Sequence, residues 1–457
     1  MKIGFGQADI TPKGKVYLIG QFHTRITEEI CDPLRAVAMI VETDSARTVW
    51  VSMDSLWVCE GASDLALKAV REVLPDLKEE EFVLSATHIH TGPSYWADTY
   101  CALTGDRTEP EGAQSAAECA KHFAAGIRAA VADALAHLTE ARADLAISRM
   151  QTGVNRRVVY QDGHAQMYGD PTKPDFLKME GRDGGPIQLL YVYDQGGRLM
   201  GIVVNAPCTA QCDEGACYVT ADFWGVVREK LAGALGEDVR ILPLCRSAGD
   251  LSPHQIVDAH HAWRVERRYH GRQAAIDLGN RVAETVLAHR DCVIASYQGD
   301  VPHAQGMRVV DFPVWQPTQK EYDDAIQYLG DPANFGEDGR PLSAFAKSAA
   351  VACKERHERG DRFYPCAIYG MRLGDLVFLS NPFELYIEYA DRIRMALKDS
   401  VVFDVELTHG CMGYLPTATA VRGGGYSALI FNSVCGPEGG ETLVKESIEL
   451  AKELIQK

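Results

Sequence analysis

Short apolar runs alternate with longer amphipathic stretches along the first half of the chain. The apolar runs are rich in β-branched residues, as buried strands are. They predict strands at residues 36–41, 48–53, 82–86, 187–193, 201–205 and 239–244. Apolar residues at helical spacing predict helices at 63–73, 117–138 and 222–235, with Asp222 at the N-cap of the last.

The second half continues in the same way. Helices are predicted at 269–289, 384–398 and 440–456, and strands at 292–297, 307–312, 367–372, 376–380 and 401–407. Strands alternating with helices predict an α/β protein in which mixed β-sheet layers are flanked by helices. Residues 315–361 are rich in charge and turn residues, so we expect a surface insertion that serves as a lid or a subunit contact. The chain contains no obvious linker, and residues 1–457 are expected to form a single domain.

The charge balance excludes several partners. The 457 residues include 46 Lys and Arg against 63 Asp and Glu, a formal net charge of −17. Nucleic acids and anionic membrane surfaces attract clusters of basic residues, so neither is an expected partner. No apolar run reaches the roughly 18 residues of a membrane span, so no integral membrane association is expected. A small-molecule substrate is the expected partner, and a homo-oligomer is left open.

Cysteine usage and the N-terminal residues bear on the compartment. The 13 cysteines are odd in number and include no C-x-x-C pair, which favours reduced thiols over a disulfide framework. The first residues contain no apolar core of a signal peptide. The expected location is therefore the cytoplasm.

The sharpest local motif is Thr87-His88-Ile89-His90-Thr91-Gly92-Pro93, which follows the predicted strand at 82–86. Side chains two apart on a strand point to the same face, so His88 and His90 are expected to project together. The carboxyl end of a strand is where α/β proteins place their sites. Paired imidazoles suit a divalent metal, although hydrogen-bonded histidines at a strand end are the alternative.

A second motif, Ala248-Gly249-Asp250-Leu251-Ser252-Pro253-His254, follows the predicted strand at 239–244. Ser252 on such a turn could be a nucleophile, an oxyanion donor or a phosphate contact. The alternative is an Asp/Ser turn that satisfies its own backbone.

Further candidates lie near the C-terminus. Glu384 follows the predicted strand at 376–380 and opens a predicted helix, so it is either a helix-start carboxylate or a third metal ligand. Tyr414 and Tyr426 lie in glycine-rich loops, where tyrosines are often packing residues.

Taken in order, these pieces resemble the neutral/alkaline ceramidase family over nearly the whole chain. The matching segments are Ala8-Asp9-Ile10-Thr11-Pro12, Cys31-Asp32-Pro33-Leu34-Arg35-Ala36, Val51-Ser52-Met53-Asp54, Ala86-Thr87-His88-Ile89-His90-Thr91-Gly92-Pro93, Asn155-Arg156-Arg157, Ala221-Asp222-Phe223, Ala248-Gly249-Asp250-Leu251-Ser252-Pro253, Pro382-Phe383-Glu384 and Gly413-Tyr414.

The resemblance implies a ceramidase-like catalytic domain with a zinc site that cleaves the amide between a fatty acid and sphingosine. Carried over by position, the metal ligands would be His88, Glu384 and Tyr414. His90 would lie beside the metal or move protons.

The remaining catalytic roles are implied in the same way. Ser252 matches the serine placed at the scissile amide, and Asp250 would orient its turn. Arg156, or its neighbour Arg157, resembles an arginine that contacts substrate near the metal.

One family ligand has no counterpart. The family's second histidine lies in a segment whose equivalent here is Asn205-Ala206-Pro207-Cys208-Thr209, and Thr209 stands at the ligand position. Cys208, Gln211, Cys212, His90 or Asp222 are the candidate substitutes. Mn²⁺, Mg²⁺ or Ca²⁺ in place of Zn²⁺, or no metal, are the alternatives.

The expected substrate also departs from ceramide. The family carries a leader and a C-terminal immunoglobulin-like domain, neither of which is expected here, and a cytoplasmic enzyme would rarely meet intact ceramide. Polar and aromatic residues are instead expected to bind a small polar or acylated substrate, namely His23, Arg25, Trp96, His254 and Tyr426.

The sequence therefore predicts a metal-dependent hydrolase that cleaves a C–N amide bond. One alternative is a carbohydrate-active hydrolase or lyase on the same fold. The other is a non-catalytic ligand-binding relative, for which Thr209 is the main support.

Overall fold

A mixed central sheet organises the structure, a computed structural model that describes residues 1–95, 112–257, 270–336 and 339–457. Within the described residues this sheet has nine strands. Eight follow the order Arg240–Cys245, Leu199–Ala206, Ile187–Asp194, Thr139–Ser148, Lys2–Asp9, Arg35–Glu42, Arg47–Met53 and Phe82–Ala86, and Ala295–Gln298 pairs with Thr139–Ser148. The first two strands pair in parallel, as do the last two, and the others are antiparallel.

A second sheet packs face to face on the first. Its strand order is His303–Pro313, Phe363–Leu373, Leu376–Ser380 and Val401–Val405, with only the last pair parallel. The interface is a buried apolar layer in which the rings of Trp50 and Phe378 lie 5.4 Å apart between centroids. Apolar side chains on both facing surfaces hold the two sheets together.

Helices cover the outer face of each sheet. The central sheet is covered by Glu60–Val70, Ala116–Ala136, Phe223–Leu235 and Gly271–His289. The second sheet is covered by Ile387–Ala396 and Pro437–Gln456. The predicted α/β class with mixed sheets flanked by helices is confirmed, and the layers run helix, sheet, sheet, helix. The carboxylate of Asp222 accepts a hydrogen bond from Phe223 N, as the N-cap expectation requires.

Short elements complete the described chain. The short strands are Val16–Tyr17, Ile26–Thr27, Val154–Asn155, Arg157–Tyr160, Ala165–Met167, Phe176–Met179, Leu251–Ser252, Glu384–Leu385 and Tyr414–Leu415. The remaining helices are Gln319–Gly330, Ala344–Arg359 and Ala418–Gly423, with 3₁₀ turns at Glu79–Glu81, Pro332–Asn334, Tyr426–Ala428 and Ile430–Asn432. The described residues include no helix that could span a membrane.

The helix predicted at 384–398 begins later than expected. Glu384 and Leu385 form a short strand that pairs in parallel with Tyr414 and Leu415, and the helix runs from Ile387 to Ala396. The helix-start interpretation of Glu384 was therefore wrong. Pairing with a distant segment, rather than the local pattern, decides the conformation at Glu384.

A half-buried histidine at the junction of the two sheets makes stability depend on pH. Leu84 N donates to His409 Nε2 at 2.8 Å, so the other ring nitrogen carries the proton and donates to the hydroxyl of Ser63. Burial lowers the pKa of His409 from 6.5 to about 3. The neutral ring is stabilising above pH 6.5, and this contribution is lost as the pH falls from 6.5 towards 3.

We expect His409 to account for a loss of about 2 kcal/mol in the free energy of unfolding between pH 7 and pH 5. Urea unfolding at both pH values measures it. The His409→Asn variant, which cannot take up that proton, should be less stable at pH 7 but lose less on acidification. Equal acid losses in the two proteins would contradict the assignment.

Candidate functional site

A cavity of about 360 Å³ opens where loops from both sheets meet. It lies at the carboxyl ends of the parallel strands Arg47–Met53 and Phe82–Ala86, the edge at which the sequence predicted a site. Five residues singled out from the sequence line it, namely His88, His90, Glu384, Tyr414 and Tyr426. Most of the other lining residues are apolar or aromatic, as in small-molecule pockets.

The two histidines of the Thr87–Pro93 motif meet, but not in the way strand alternation predicts. The strand ends at Ala86, and His88 has a φ of 62°, which turns the backbone into the left-handed region. The expectation of two residues on one strand face was wrong for this reason. The rings nevertheless lie 5.0 Å apart between centroids.

The tautomer of His88 follows from its hydrogen bond. Its Nδ1 lies 3.0 Å from the carbonyl oxygen of Leu56, which can only accept, so Nδ1 carries the proton. The other nitrogen, Nε2, then has a free lone pair when the ring is neutral. Burial keeps it neutral by lowering the pKa of His88 well below 6.5. Histidine binds metals as a neutral imidazole, through one ring nitrogen, while the other ring nitrogen donates a hydrogen bond that fixes the orientation of the ring.

Glu384 faces His88 across the cavity wall. Its Oε2 lies 3.8 Å from His88 Nε2, is buried, and has no hydrogen-bond partner among the described residues. Burial raises the pKa of Glu384 to about 7, although the charge of Arg156 and a hydrogen bond with Tyr414 act in the opposite direction. A buried carboxylate oxygen without a donor is costly, so this position suits a bound cation or a proton.

Arg156 lies behind these residues and joins three segments. Its Nη2 donates to Tyr414 Oη at 3.2 Å and to Gly249 O at 2.9 Å. Gly249 is required at this point because a Cβ there would lie 2.2 Å from Glu384 O. The alternative residue, Arg157, binds elsewhere, in a bidentate pair with Glu180. The guanidinium next to the candidate metal ligands is therefore that of Arg156.

The second sequence motif forms part of the cavity's support. The Asp250 carboxylate accepts hydrogen bonds from Ile387 N and from Asn155 Nδ2, both at 2.9 Å. Burial raises the pKa of Asp250 to about 6. These contacts tie the turn of the second motif to the segment that follows Glu384.

Ser252 is also buried, and its environment includes a residue that the sequence did not single out. Its Oγ accepts from Tyr168 Oη at 3.0 Å and from His254 N at 3.1 Å. The Tyr168 hydroxyl itself accepts from Arg156 Nη1 at 3.3 Å. Tyr168 thus links Ser252 to Arg156. No motif in the sequence marks it.

Glu214 is a second residue that the sequence did not single out. Its carboxylate lies between two histidines, with Oε2 3.5 Å from His90 Nδ1 and Oε1 3.4 Å from His254 Nε2. Burial raises its pKa, but the hydrogen bond from His254 and the charges of the surrounding groups outweigh this and hold it at about 2. Burial lowers the pKa of His90 to about 4. Glu214 is therefore an ionised carboxylate beside His90, which lines the cavity.

Among the candidate substitutes for the missing histidine, His90 lines the cavity beside His88, and Gln211 Oε1 is buried without a hydrogen-bond partner in the described chain. Burial raises the pKa of the Cys208 and Cys212 thiols. Gln211 Nε2 donates to Tyr168 Oη at 2.8 Å, and Asp222 caps a helix. Thr209 Oγ1 is buried without a hydrogen-bond partner in the described chain.

Donor chemistry is the test of whether a metal would fit. Among the described residues, which leave out 96–111, 258–269 and 337–338, no group of three or more His, Cys, Asp or Glu side chains is arranged to hold a metal ion. His88 and Glu384 do approach each other, and the Tyr414 hydroxyl bonds to the same carboxylate. Imidazole, carboxylate and phenol oxygen are donors that suit a divalent ion, and the unpartnered Glu384 Oε2 is an atom for which a cation would compensate.

The residues expected to bind substrate are dispersed. The Arg25 guanidinium is buried against four carbonyl oxygens, including that of His90 at 2.6 Å, which is a supporting position. His23 is exposed and Tyr426 lines the cavity. Trp96 lies outside the described residues.

Comparisons with known proteins bear on the fold. No family model and no curated protein matches the chain. Solved structures do match, and two of them each have a TM-score of 0.72. One is neutral ceramidase from Pseudomonas aeruginosa, at 17% identity, with 100% of this chain and 74% of that chain covered. The other is a ceramidase complexed with C2, at 16% identity, with 100% and 75% covered. The described chain therefore has the mixed α/β fold of neutral ceramidase.

Proposed function

We propose that the protein is a metal-dependent hydrolase that cleaves a C–N amide bond in a small substrate. The main support for this proposal is the pair formed by His88 Nε2 and Glu384 Oε2, which lie 3.8 Å apart beside a substrate-sized cavity. The carboxylate oxygen is buried and has no donor in the described part of the chain. The likeness of the fold to ceramidases supports amide hydrolysis as the reaction class.

His88, Glu384 and Tyr414 would hold the metal, with Zn²⁺ the first choice and Mn²⁺, Mg²⁺ or Ca²⁺ the alternatives. When bound, such an ion supplies a Lewis acid and a nucleophilic hydroxide near neutral pH. The Nδ1 hydrogen bond to Leu56 fixes the orientation of His88 towards the site.

Arg156 and Tyr414 would stabilise the negative charge that develops on the carbonyl oxygen of the substrate. Because Arg156 Nη2 donates to Tyr414 Oη, the phenol proton remains free for Glu384 or for the carbonyl oxygen of the scissile amide. The guanidinium remains charged at all relevant pH values and, through its hydrogen bond to Tyr414, would stabilise the oxygen as it becomes negative.

His90 and Glu214 would move the proton that the leaving amine needs. His90 lines the cavity, and the Glu214 carboxylate 3.5 Å away stabilises the ring when it takes up a proton. The fixed negative charge lowers the cost of forming an imidazolium at a buried position. Ser252, hydrogen-bonded through Tyr168 to Arg156, would keep that guanidinium in position.

A competing proposal is a non-catalytic ligand-binding protein. Thr209 at the expected ligand position favours it, as does the lack of a three-residue His, Cys, Asp or Glu cluster in the described ranges. It predicts a cavity that binds small molecules but no metal.

The metal content of the purified protein separates the two proposals. We expect about one equivalent of zinc or manganese per chain by inductively coupled plasma mass spectrometry. The His88→Ala variant should lose it, whereas His137→Ala, which removes an exposed histidine, should retain it. Absence of metal from all three proteins, even after incubation with Zn²⁺, Mn²⁺, Mg²⁺ and Ca²⁺, would overturn the hydrolase proposal in favour of the binding protein.

A further inference from the structure

An arginine, Arg356, lines the same cavity as Glu384. Arg356 lies on the helix Ala344–Arg359, within the segment that the sequence predicted as a surface insertion, and its side chain is half-buried at the cavity wall. Its two Nη atoms donate to the carbonyl oxygens of Ser433 and Val434. Arg356 therefore belongs to the cavity and not to the outer surface of the insertion.

The backbone that anchors Arg356 is continuous with the site. Val434 N donates to Met412 O at 3.0 Å, and Glu384 N donates to Gly413 O at 2.9 Å. Two backbone hydrogen bonds thus connect the carbonyls held by Arg356 to the strand pair that carries Glu384 and Tyr414. This connection fixes the guanidinium relative to the proposed metal ligands.

Arg356 has no carboxylate partner in the described chain. Other half-buried arginines in the same ranges, such as Arg228 with Asp54 and Arg394 with Asp404, form ion pairs at 2.5–2.6 Å. Around Arg356 the nearby ionisable groups are the thiols of Cys435 and Cys353 and the charge of Arg359, and burial lowers its pKa to about 10. A partly buried cation with only neutral acceptors is electrostatically incomplete, and an incoming anion would complete it.

The same helix carries an aromatic side chain, Phe345, that packs against two residues of the cavity wall. Phe345 precedes Arg356 by eleven residues, which is close to three helical turns, so the two lie on one face about 16 Å apart. The Phe345 ring packs edge-on against Phe22 at 5.3 Å and against Tyr426 at 5.5 Å, and both of these residues line the cavity. This face of the helix thus presents an aromatic ring, that of Phe345, and a positive charge, that of Arg356, which could contact one ligand.

We propose that Arg356 is a specificity-determining residue that binds a carboxylate on the substrate, and that the substrate class is an N-acyl amino acid. The acyl group would lie against the Phe22–Phe345–Tyr426 aromatic rim. The carboxylate would pair with Arg356, and the amide between them would face His88 and Glu384. This proposal rests on the proposed amide hydrolysis for its choice of bond, whereas the recognition of the anion stands on Arg356 itself.

The test uses two probes that differ in one group, N-octanoylglycine and its neutral near-isostere N-octanoylglycinamide. Their affinities for the full-length protein are measured by isothermal titration calorimetry, and release of glycine or glycinamide is followed separately. We expect the wild-type protein to bind the carboxylate probe at least about tenfold more tightly, since a charge-assisted bond is lost with the neutral probe. In Arg356→Gln the ratio of the two affinities should fall below about threefold.

Two variants control for charge and folding. Arg359→Gln removes an exposed guanidinium from the same helix and should keep the tenfold ratio. Arg356→Lys keeps the charge and a donor for the Ser433 carbonyl, so it should retain a preference for the carboxylate probe. It replaces Arg356→Gln in the comparison if that variant proves unstable. An affinity ratio near one in the wild-type protein, or a ratio unchanged in Arg356→Gln, overturns the proposal.

Measuring both binding and turnover distinguishes a failure of the Arg356 proposal from a failure of the proposed hydrolase function. A carboxylate preference that depends on Arg356, without release of glycine, would support the anion subsite while contradicting the hydrolase. Hydrolysis of both probes with equal efficiency would contradict the subsite while supporting the hydrolase.

Discussion

Replacing Glu384 with glutamine is expected to lower amide hydrolysis by at least about a hundredfold and to abolish stoichiometric metal binding, while the protein remains folded. Glutamine preserves the size of the side chain but offers no negative charge to a cation. Burial raises the pKa of Glu384 to about 7, so without metal the folded state is destabilised by the ionised carboxylate as the pH rises above its unfolded value of about 4.5. The metal-free variant should consequently melt at a higher temperature than the metal-free wild type at pH 8.

This combination of lost function and gained stability is the signature of a carboxylate retained for its chemistry. Turnover of N-octanoylglycine, metal content and the melting temperature of the chelator-treated protein measure the three effects. Glu388→Gln makes the same chemical change at an exposed position four residues away; it should leave turnover and metal content unaltered and should not raise the melting temperature. A Glu384→Gln variant that keeps both its metal and its activity would show that the site lies elsewhere.

The strands and helices that form the layers were largely predictable because each has a local pattern. The runs at 48–53 and 82–86 are observed as Arg47–Met53 and Phe82–Ala86, since continuous burial on both faces gives an unmistakable apolar segment. Lys2–Asp9 was missed because its glycines interrupt that pattern. A Cβ on Gly4 would lie 2.2 Å from Ala134 O, so the strand has glycine where the helix Ala116–Ala136 packs against it.

The site was predictable where motif residues follow a strand, and not where distant segments meet. His88 and His90 were found from their position after Phe82–Ala86, although the left-handed backbone at His88 replaces the expected strand geometry. Glu384 was found, but its conformation was not, because its pairing partner Tyr414 is thirty residues away. Tyr168 and Glu214 have no local signature at all, since only the tertiary fold brings Tyr168 to Ser252 and Glu214 to His90.

Replacing Asp404 with alanine is expected to lower the free energy of unfolding by about 3–5 kcal/mol, the largest effect on stability that we predict. Asp404 is buried on the strand Val401–Val405 and accepts from two guanidiniums, Arg246 Nη2 at 3.2 Å and Arg394 Nη1 at 2.6 Å. Its other oxygen accepts from Ser247 Oγ at 2.7 Å. Removing the carboxylate would leave the fully buried guanidinium of Arg246 without a counter-charge.

The charges of Arg246 and Arg394 hold the pKa of Asp404 well below its usual range in spite of burial. Its contribution is therefore complete above pH 4 and is lost only in stronger acid, in contrast to that of His409. Urea unfolding at pH 7 tests the effect against Asp399→Ala, which removes an exposed aspartate on the surface. A loss below about 1 kcal/mol would contradict the ion-pair assignment. Arg246 and Ser247 lead directly into the turn of Asp250, so the Asp404→Ala variant should also weaken ligand binding in the cavity. If the variant keeps its stability but binds ligand weakly, the role of Asp404 is to position that turn and not to hold the two sheets together.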